Sequence, residues 1–228
     1  MTPEEFSNEF DVILNSYSGA ESIELDEYEK SVFLTKAQEE VVIDIYNGKN
    51  SFGDSFEKTE EIRRYLSNLI NTYTSTEKVE NHIGLSKSSV FFKLPPDLWF
   101  ITYESVNLVD NKLECMSEES VSVIPITQDD YHRIKKNPFR GTNERRVLRF
   151  DLKDEYVEIV SKYNVDSYSV RYLSRPTPII LTDLPENLSI NNINSKTACM
   201  LNPVLHRTIL ERAIKLALLS RSLNAGRD

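Results

Sequence analysis

Catalysis needs nucleophiles, bases or metal ligands at workable spacings, and this sequence offers few. Its histidines, His82, His132 and His206, stand far apart, and none belongs to an H-E-x-x-H pattern. Its cysteines, Cys115 and Cys199, form no C-x-x-C pair. A zinc or haem site therefore has no ligand set at a recognisable spacing. The six glycines include no G-x-G-x-x-G or G-x-x-x-x-G-K run, so no phosphate-cradling loop is read. Glu118-Glu119 and Asp129-Asp130 come nearest to paired metal-binding carboxylates. Neighbours on a strand point to opposite faces, and acids at a helix start serve its dipole. Neither pair is expected to gather round one ion. The sequence is read as non-enzymatic, with no cofactor and no metal.

The residues that do cluster are cationic. The stretch Tyr131 to Arg149, YHRIKKNPFRGTNERRVLR, carries seven bases and one acid, Glu144. Six of those bases, Arg133, Lys135, Lys136, Arg140, Arg145 and Arg146, are candidates for contact with a partner, with Arg207 and Arg212 from the mildly basic C-terminal segment. Guanidinium and ammonium groups grip carboxylates and phosphates. Tyr131 and Phe139 add rings that stack or anchor. Pro138 and Gly141 make the stretch a loop. Its plain reading is an exposed linker. Its functional reading is contact with DNA phosphates or with an acidic patch on a neighbouring subunit.

The charge balance favours the subunit. The chain has 228 residues, 27 Lys+Arg and 36 Asp+Glu, a formal net charge of −9. Counterion release on DNA needs dense positive charge facing one way. Residues 1–47 alone hold twelve acids against two bases. An acidic end and a basic middle on one polypeptide suit heterologous contacts, which pair two different patches and close into a ring when the rotation allows. Hydrophobic residues at 39% and charged residues at 28% describe a globular chain, not a disordered one. At this length folding buries roughly 70% of the unfolded surface, so a core forms without staples. Two cysteines fit a reducing compartment. No apolar run approaches the roughly 20 residues of a membrane span, and the acidic start MTPEEFSNEF lacks the features of a signal peptide.

The elements that must position these charges are helical at both ends and extended between. Thr2-Pro3-Glu4-Glu5 reads as a helix start, followed by Phe6, Phe10, Ile13 and Leu14 at helical spacing, with a stop near Gly19. Leu25 to Asn47 is the strongest N-terminal helix, with Asp26 and Glu29 as a capping box and Gly48 as a left-handed cap. A third helix is predicted from about Phe56 to Tyr73, on Ile62, Tyr65, Leu66, Leu69, Ile70 and Tyr73. Strands are then predicted at 89–94, 98–108, 121–126, 147–152, 156–161, 168–173 and 179–184. Asp110-Asn111 is turn chemistry. Thr127 caps a short helix that Pro138 ends, Arg175-Pro176-Thr177-Pro178 marks an edge or crossover, and Asn187 to Asn194 is a loop. Asn202 and Pro203 open a final helix with two apolar faces. Trp99 is expected in the core and His132 as an exposed spectator. The fold class is α+β. Helices from residues 1–78 and 200–228 would form one bundle, a β-rich insertion would fill 79–199, and the polar tail from Ser220 to Asp228 would be flexible.

Five runs carry a resemblance. They are FSNEFDVILNSY (Phe6 to Tyr17), LDEYEKSVFLTKAQEEVVIDIYNG (Leu25 to Gly48), IPITQDDYHRIKKNPFRG (Ile124 to Gly141), YLSRPTPIILTDL (Tyr172 to Leu184) and LNPVLHRTILERA (Leu201 to Ala213). Together they resemble a neck structural protein of crAss-like tailed bacteriophages, a ring or head-to-tail adaptor. The resemblance spans nearly the whole chain and contains no catalytic motif. It implies a virion protein, made in the bacterial host cytoplasm, that forms a homo-oligomeric ring, a dodecamer in adaptors of this type. The implied partners are copies of itself, the portal protein, neighbouring neck and tail rings, and packaged DNA passing through the lumen. The candidate cations would then serve subunit, portal or DNA contacts. Two other classes stay open: a virion structural protein elsewhere, such as a tail tube or capsid-associated protein, and a DNA-processing enzyme, for which clustered carboxylates would be needed.

Overall fold

Both long N-terminal helices begin, and the second also ends, where local chemistry satisfies their unpaired backbone groups. In the computed structural model, which describes residues 1–18, 24–49, 56, 60–80, 82–109, 120–153 and 155–225, helix α1 runs Pro3–Ser18 and helix α2 runs Glu27–Asn47. The Thr2 amide donates to Glu5 Oε2 at 2.8 Å, and the Glu5 amide donates back to Thr2 Oγ1 at 3.2 Å. Asp26 and Glu29 make the same reciprocal pair ahead of α2, and Gly48 closes it in the left-handed conformation at φ 73°. Each such cap is worth about 1 kcal/mol. α1 runs as far as Ser18. Gly19, the Asp110-Asn111 turn, Cys115 and the Glu118-Glu119 pair lie outside the described residues.

The remaining elements are helix α3 (Glu60–Tyr65), strands β1 (Ile70–Ser75), β2 (Ser89–Lys93), β3 (Leu98–Leu108) and β4 (Ser120–Pro125), helix α4 (Gln128–Lys135), strands β5 (Arg146–Asp151), β6 (Tyr156–Val160) and β7 (Val165–Ser174), and helix α5 (Pro203–Ala225). The expected bundle of N- and C-terminal helices around a β-rich insertion is not the architecture observed. The fold is a mixed α+β arrangement of a seven-stranded sheet and five helices among the described residues. α4 interrupts the strands. Among the described residues, the helix expected over 56–73 is six residues of α3 and a 3₁₀ turn at Ser67–Leu69, after which the chain enters β1. The apolar residues Ile70 and Tyr73 fit a helical period by coincidence: in β1 they pair with Leu173 and Val170 of β7. Contacts made across the chain overrode the local pattern. The C-terminal stretch from Ser220 is helical as far as Ala225.

The chain divides into two compact units, Met1–Leu69 with Arg175–Asp228, and Ile70–Ser174. In the first, α5 packs against both α1 and α2. Phe6, Phe10 and Leu14 are fully buried at helical spacing on α1, as are Leu34, Ala37 and Val42 on α2, and Ile209, Leu210 and Ala213 on α5. Lys30, itself buried, joins α1 to α2 through Asp11 Oδ2 at 2.7 Å, Glu27 Oε1 at 2.9 Å and Ser7 Oγ at 3.2 Å.

The strand expected at 179–184 is absent, and α2 explains why. Its Ser31, Thr35 and Gln38 are buried polar residues on one face, and they take up the backbone of the passing chain. Gln38 Nε2 donates to the Thr177 carbonyl at 2.7 Å, the Ile179 amide donates to Thr35 Oγ1 at 3.1 Å, and the Leu181 amide donates to Ser31 Oγ at 3.0 Å. Pro176 and Pro178 have no amide to offer a neighbouring strand. Side chains of a helix have replaced a ladder. Arg175 adds a surface tie to Glu39 at 2.8 Å. Further on, Asn191 and Asn192 take positive φ angles of 51° and 65° between the bridged residues Ile190 and Ile193, a left-handed turn that asparagine tolerates.

The second unit is one sheet with strand order β1-β7-β3-β4-β5-β6-β2, antiparallel throughout except for the parallel β4–β5 pair. Phe92, Val106, Val147, Val157, Ile159, Tyr168 and Val170 belong to one cluster. Tyr131 of α4 covers Leu148, Phe150 and Val160 in another, with its ring edge-on to Phe150. Alternation puts Val147 and Arg149 on one face of β5 and Leu148 and Phe150 on the other. Arg149 is consequently buried, 3.3 Å from Glu104 and 3.3 Å from Asp151, and Glu104 accepts from Tyr168 Oη at 3.1 Å. Desolvation holds the Glu104 carboxyl above the usual carboxylate range, against the pull of Arg149. Trp99 is only half-buried and stacks on Phe100. Register shifts between Leu98 and Phe100, and between Ile101 and Tyr103, break the alternation that placed it in the core.

Two measurements test this packing. Thr35→Val removes one hydroxyl and leaves the buried Ile179 amide without its partner, so it should cost about 1–3 kcal/mol in denaturant unfolding and raise amide exchange at Ile179. His206 is buried, its ring lies 5.4 Å from that of Phe6 at a tilt of 47°, and its Nε2 lies 3.0 Å from the Leu201 carbonyl. Burial lowers its affinity for protons below the ordinary imidazole value of 6.5. The fold therefore holds the neutral ring, and the stability it contributes is complete above 6.5 and is lost as pH falls through the lowered value. Urea midpoints should drop between neutral and mildly acidic pH, and His206→Gln should flatten that dependence.

Candidate assembly interface

The basic stretch is a built loop. α4 starts at Thr127, whose hydroxyl accepts from the Asp130 amide, and the chain turns out of it at Lys136. Asn137 then organises the turn. Its carbonyl accepts from the Gly141 amide at 2.8 Å and the Arg140 amide at 3.2 Å, while its side-chain oxygen accepts from the Phe139 amide at 2.9 Å. Arg146 NH1 donates to the Phe139 carbonyl at 2.8 Å, and Asn143 bridges back to Arg146. These bonds hold Phe139 outward, 84% exposed. A loop already ordered loses little entropy when it binds.

The candidate cations differ in what they have to spare. Arg133 is exposed and lies 3.8 Å from Asp130. Lys135 Nζ sits 5.4 Å over the Tyr131 ring, a position that the ring quadrupole favours. Arg146 is engaged within the loop. Lys136, Arg140 and Arg145 are exposed, and no ion-pair partner for them is found among the described residues. The two C-terminal candidates belong to the other compact unit. Arg207 pairs with Glu211 at 3.1 Å, and Arg212 pairs with Asp44 at 2.5 Å and lies 3.8 Å from Glu40. Arg212 is thus a tie between α5 and α2 more than a free contact. His132 is exposed, as expected.

Behind the loop lies a cavity of about 420 Å³. Tyr131, Pro138, Leu148 and Val160 give it apolar walls, and Lys135, Lys136 and Lys162 give it charge. Ser86, Ser88 and Thr142 add hydroxyls. Lys162, Ser86 and Ser88 were not singled out from the sequence, because they lie far along the chain from α4 and no local spacing links them to it. The alternation of β5 was the one available signal that Arg149, unlike its basic neighbours, turns inward.

Among the described residues, no group of three or more His, Cys, Asp or Glu is placed to hold a metal, and no helix is long and apolar enough to cross a membrane. Cys199 lies 3.2 Å from Gln38 Oε1, and burial pushes its thiol up to about 11, far from the range of a reactive thiolate.

The chain can now be compared with known proteins. The profile of the phage tail ring protein 3/4 family matches residues 1–228. Ring protein 3 of Bacteroides phage crAss001 is 56% identical over 227 residues, covering 99% of each chain. Ring protein 4/5 of the same phage is 32% identical over 233 residues, covering 95% of this chain and 92% of the relative. With its full length matched by the family profile and by relatives at 56% and 32% identity, the chain belongs to the phage tail ring protein 3/4 family, structural ring proteins of crAss-like phage virions.

Proposed function

We propose that copies of this chain close into a ring at the head-to-tail junction of the particle, the neck, where the ring acts as a connector and has no catalytic role. The observation that carries this reading is the uneven pairing of charge. Among the described residues, Lys136, Arg140 and Arg145 have no ion-pair partner on a preformed loop, while the acidic N-terminal segment, most of whose carboxylates are paired internally, keeps Glu9 and Glu24 exposed and without an internal partner among the described residues. Two different patches of opposite sign on one subunit favour heterologous contacts, and heterologous contacts that close make rings.

The ring is a dodecamer that surrounds the DNA channel. A net charge of −9 per subunit suits a conduit, because repulsion keeps the passing genome from adhering. The axial partners are the portal protein on the head side and neighbouring ring or tail proteins on the other. The chain is made in the bacterial cytoplasm and ends in the virion. A family described as tail ring proteins supports this placement. The two long helices α2 and α5, of 21 and 23 residues, make a tail tube built only of strands a poorer fit.

Electron cryo-microscopy of the neck tests the proposal. The expected result is a closed collar of this chain between portal and tail; finding the chain in the tail tube or on the capsid would overturn it. Reversing charge with Arg140→Glu and Arg145→Glu, neither of which contributes its side chain to the loop's internal bonds, should leave monomer stability within about 0.5 kcal/mol yet raise the fraction of heads lacking tails.

A further inference from the structure

The acidic N-terminal segment holds far less unspent charge than its composition implies, and the structure shows where the remainder lies. Glu4 is bound to Lys196, Asp11 and Glu27 to Lys30, Glu39 to Arg175, and Glu40 and Asp44 to Arg212. Glu5, Asp26 and Glu29 are taken up by the two helix caps. Among the described acids of residues 1–47, only Glu9 and Glu24 have no partner among the described residues. Glu9 lies on the solvent face of α1, three residues before Val12, whose side chain is 71% exposed. Residues three apart on a helix are surface neighbours. This face therefore presents a free carboxylate beside a bare aliphatic side chain.

The cavity beside α4 has the reverse composition. Its apolar floor of Tyr131, Leu148 and Val160 is rimmed by Lys135, Lys136 and Lys162. Neither Lys136 nor Lys162 has an ion-pair partner among the described residues. A volume of about 420 Å³ admits an aliphatic side chain together with a carboxylate at the rim.

We propose that this cavity is a socket for the solvent face of α1 from a second copy of the chain, with Val12 entering over Tyr131 and Glu9 meeting Lys136 and Lys162. The proposal rests on the ring reading and gives it one specific joint. A charge pair at the rim of such a joint fixes its register and speeds encounter, while the apolar insertion slows release.

Intact virions treated with a zero-length carbodiimide, which couples carboxylates directly to amines, provide the test. Peptides recovered from the covalent dimer of this chain should join Glu9 to Lys135, Lys136 or Lys162. Dimers joined only through other residues would overturn the socket and leave the ring standing. Cross-links solely to other proteins, with no dimer of this chain, would overturn both. A socket that reacts with amine reagents only after the genome is released would assign the cavity to phosphate and end the proposal. As a second arm, purified chain carrying K136E and K162E should self-associate at least about tenfold more weakly than the parent. Adding E9K to that variant should restore association. Failure of E9K to restore it, with the parent assembling and every variant folded by circular dichroism, also overturns the socket.

Discussion

A stretch of backbone that crosses a protein without joining a sheet must have its polar groups satisfied by something else. Residues 177–181 meet that demand partly on Thr197, which bonds both backbone groups of Ile180 and the Pro178 carbonyl, and partly on one helix. The Thr177 carbonyl and the amides of Ile179 and Leu181 are taken by Gln38, Thr35 and Ser31, which lie along a single buried face of α2. The arrangement lets Ile179 and Ile180 sink fully into the core although the segment is flanked by prolines that exclude a regular ladder. It also fixes the path from the end of β7 towards α5. The polar face of α2, which an amphipathic reading assigns to solvent, is therefore a main organiser of its unit.

Charge is handled on the same principle. Buried ions are matched inside each unit: Lys30 by Asp11 and Glu27, Arg149 by Glu104 and Asp151. Burying an ion without a partner is far more costly than pairing it. Around the α4 loop the opposite holds. Lys136, Arg140 and Arg145 lie exposed on a loop whose shape is fixed by its own backbone, by Asn137 and by Arg146, so their charge is available to a partner. Such exposed pairs contribute little to the stability of one subunit; their effect is on which surfaces meet, and how fast. For a protein of a ring-forming family that is the more useful property.

Much of this molecule was readable from local sequence. The caps at Asp26 and Gly48, the opening of α5 at Asn202 and Pro203, the capping of α4 by Thr127, and strands β2 to β7 occupy the places that spacing and turn chemistry assign them. The caps depend on residues within a few positions of one another and are fixed by local forces, and the strands are marked by a period of two bounded by turn residues. The errors share a cause. The 56–73 helix gave way to β1 because β7, about a hundred residues on, supplies six paired positions. The 179–184 strand gave way to α2, and Trp99 left the core because β3 is irregular against β7.

The same division holds for function. Sequence by itself determined the lineage, the lack of a recognisable catalytic motif, and the presence of opposite charge in two places, because composition and long matched segments do not depend on how the chain is folded. Only the tertiary structure decided which charges remain to be used. Pairing is a matter of distance between side chains remote in sequence, so Arg212 and most of the N-terminal acids turned out to be spent internally, Arg149 to be buried, and Lys162 to stand beside Lys135 and Lys136 at one cavity.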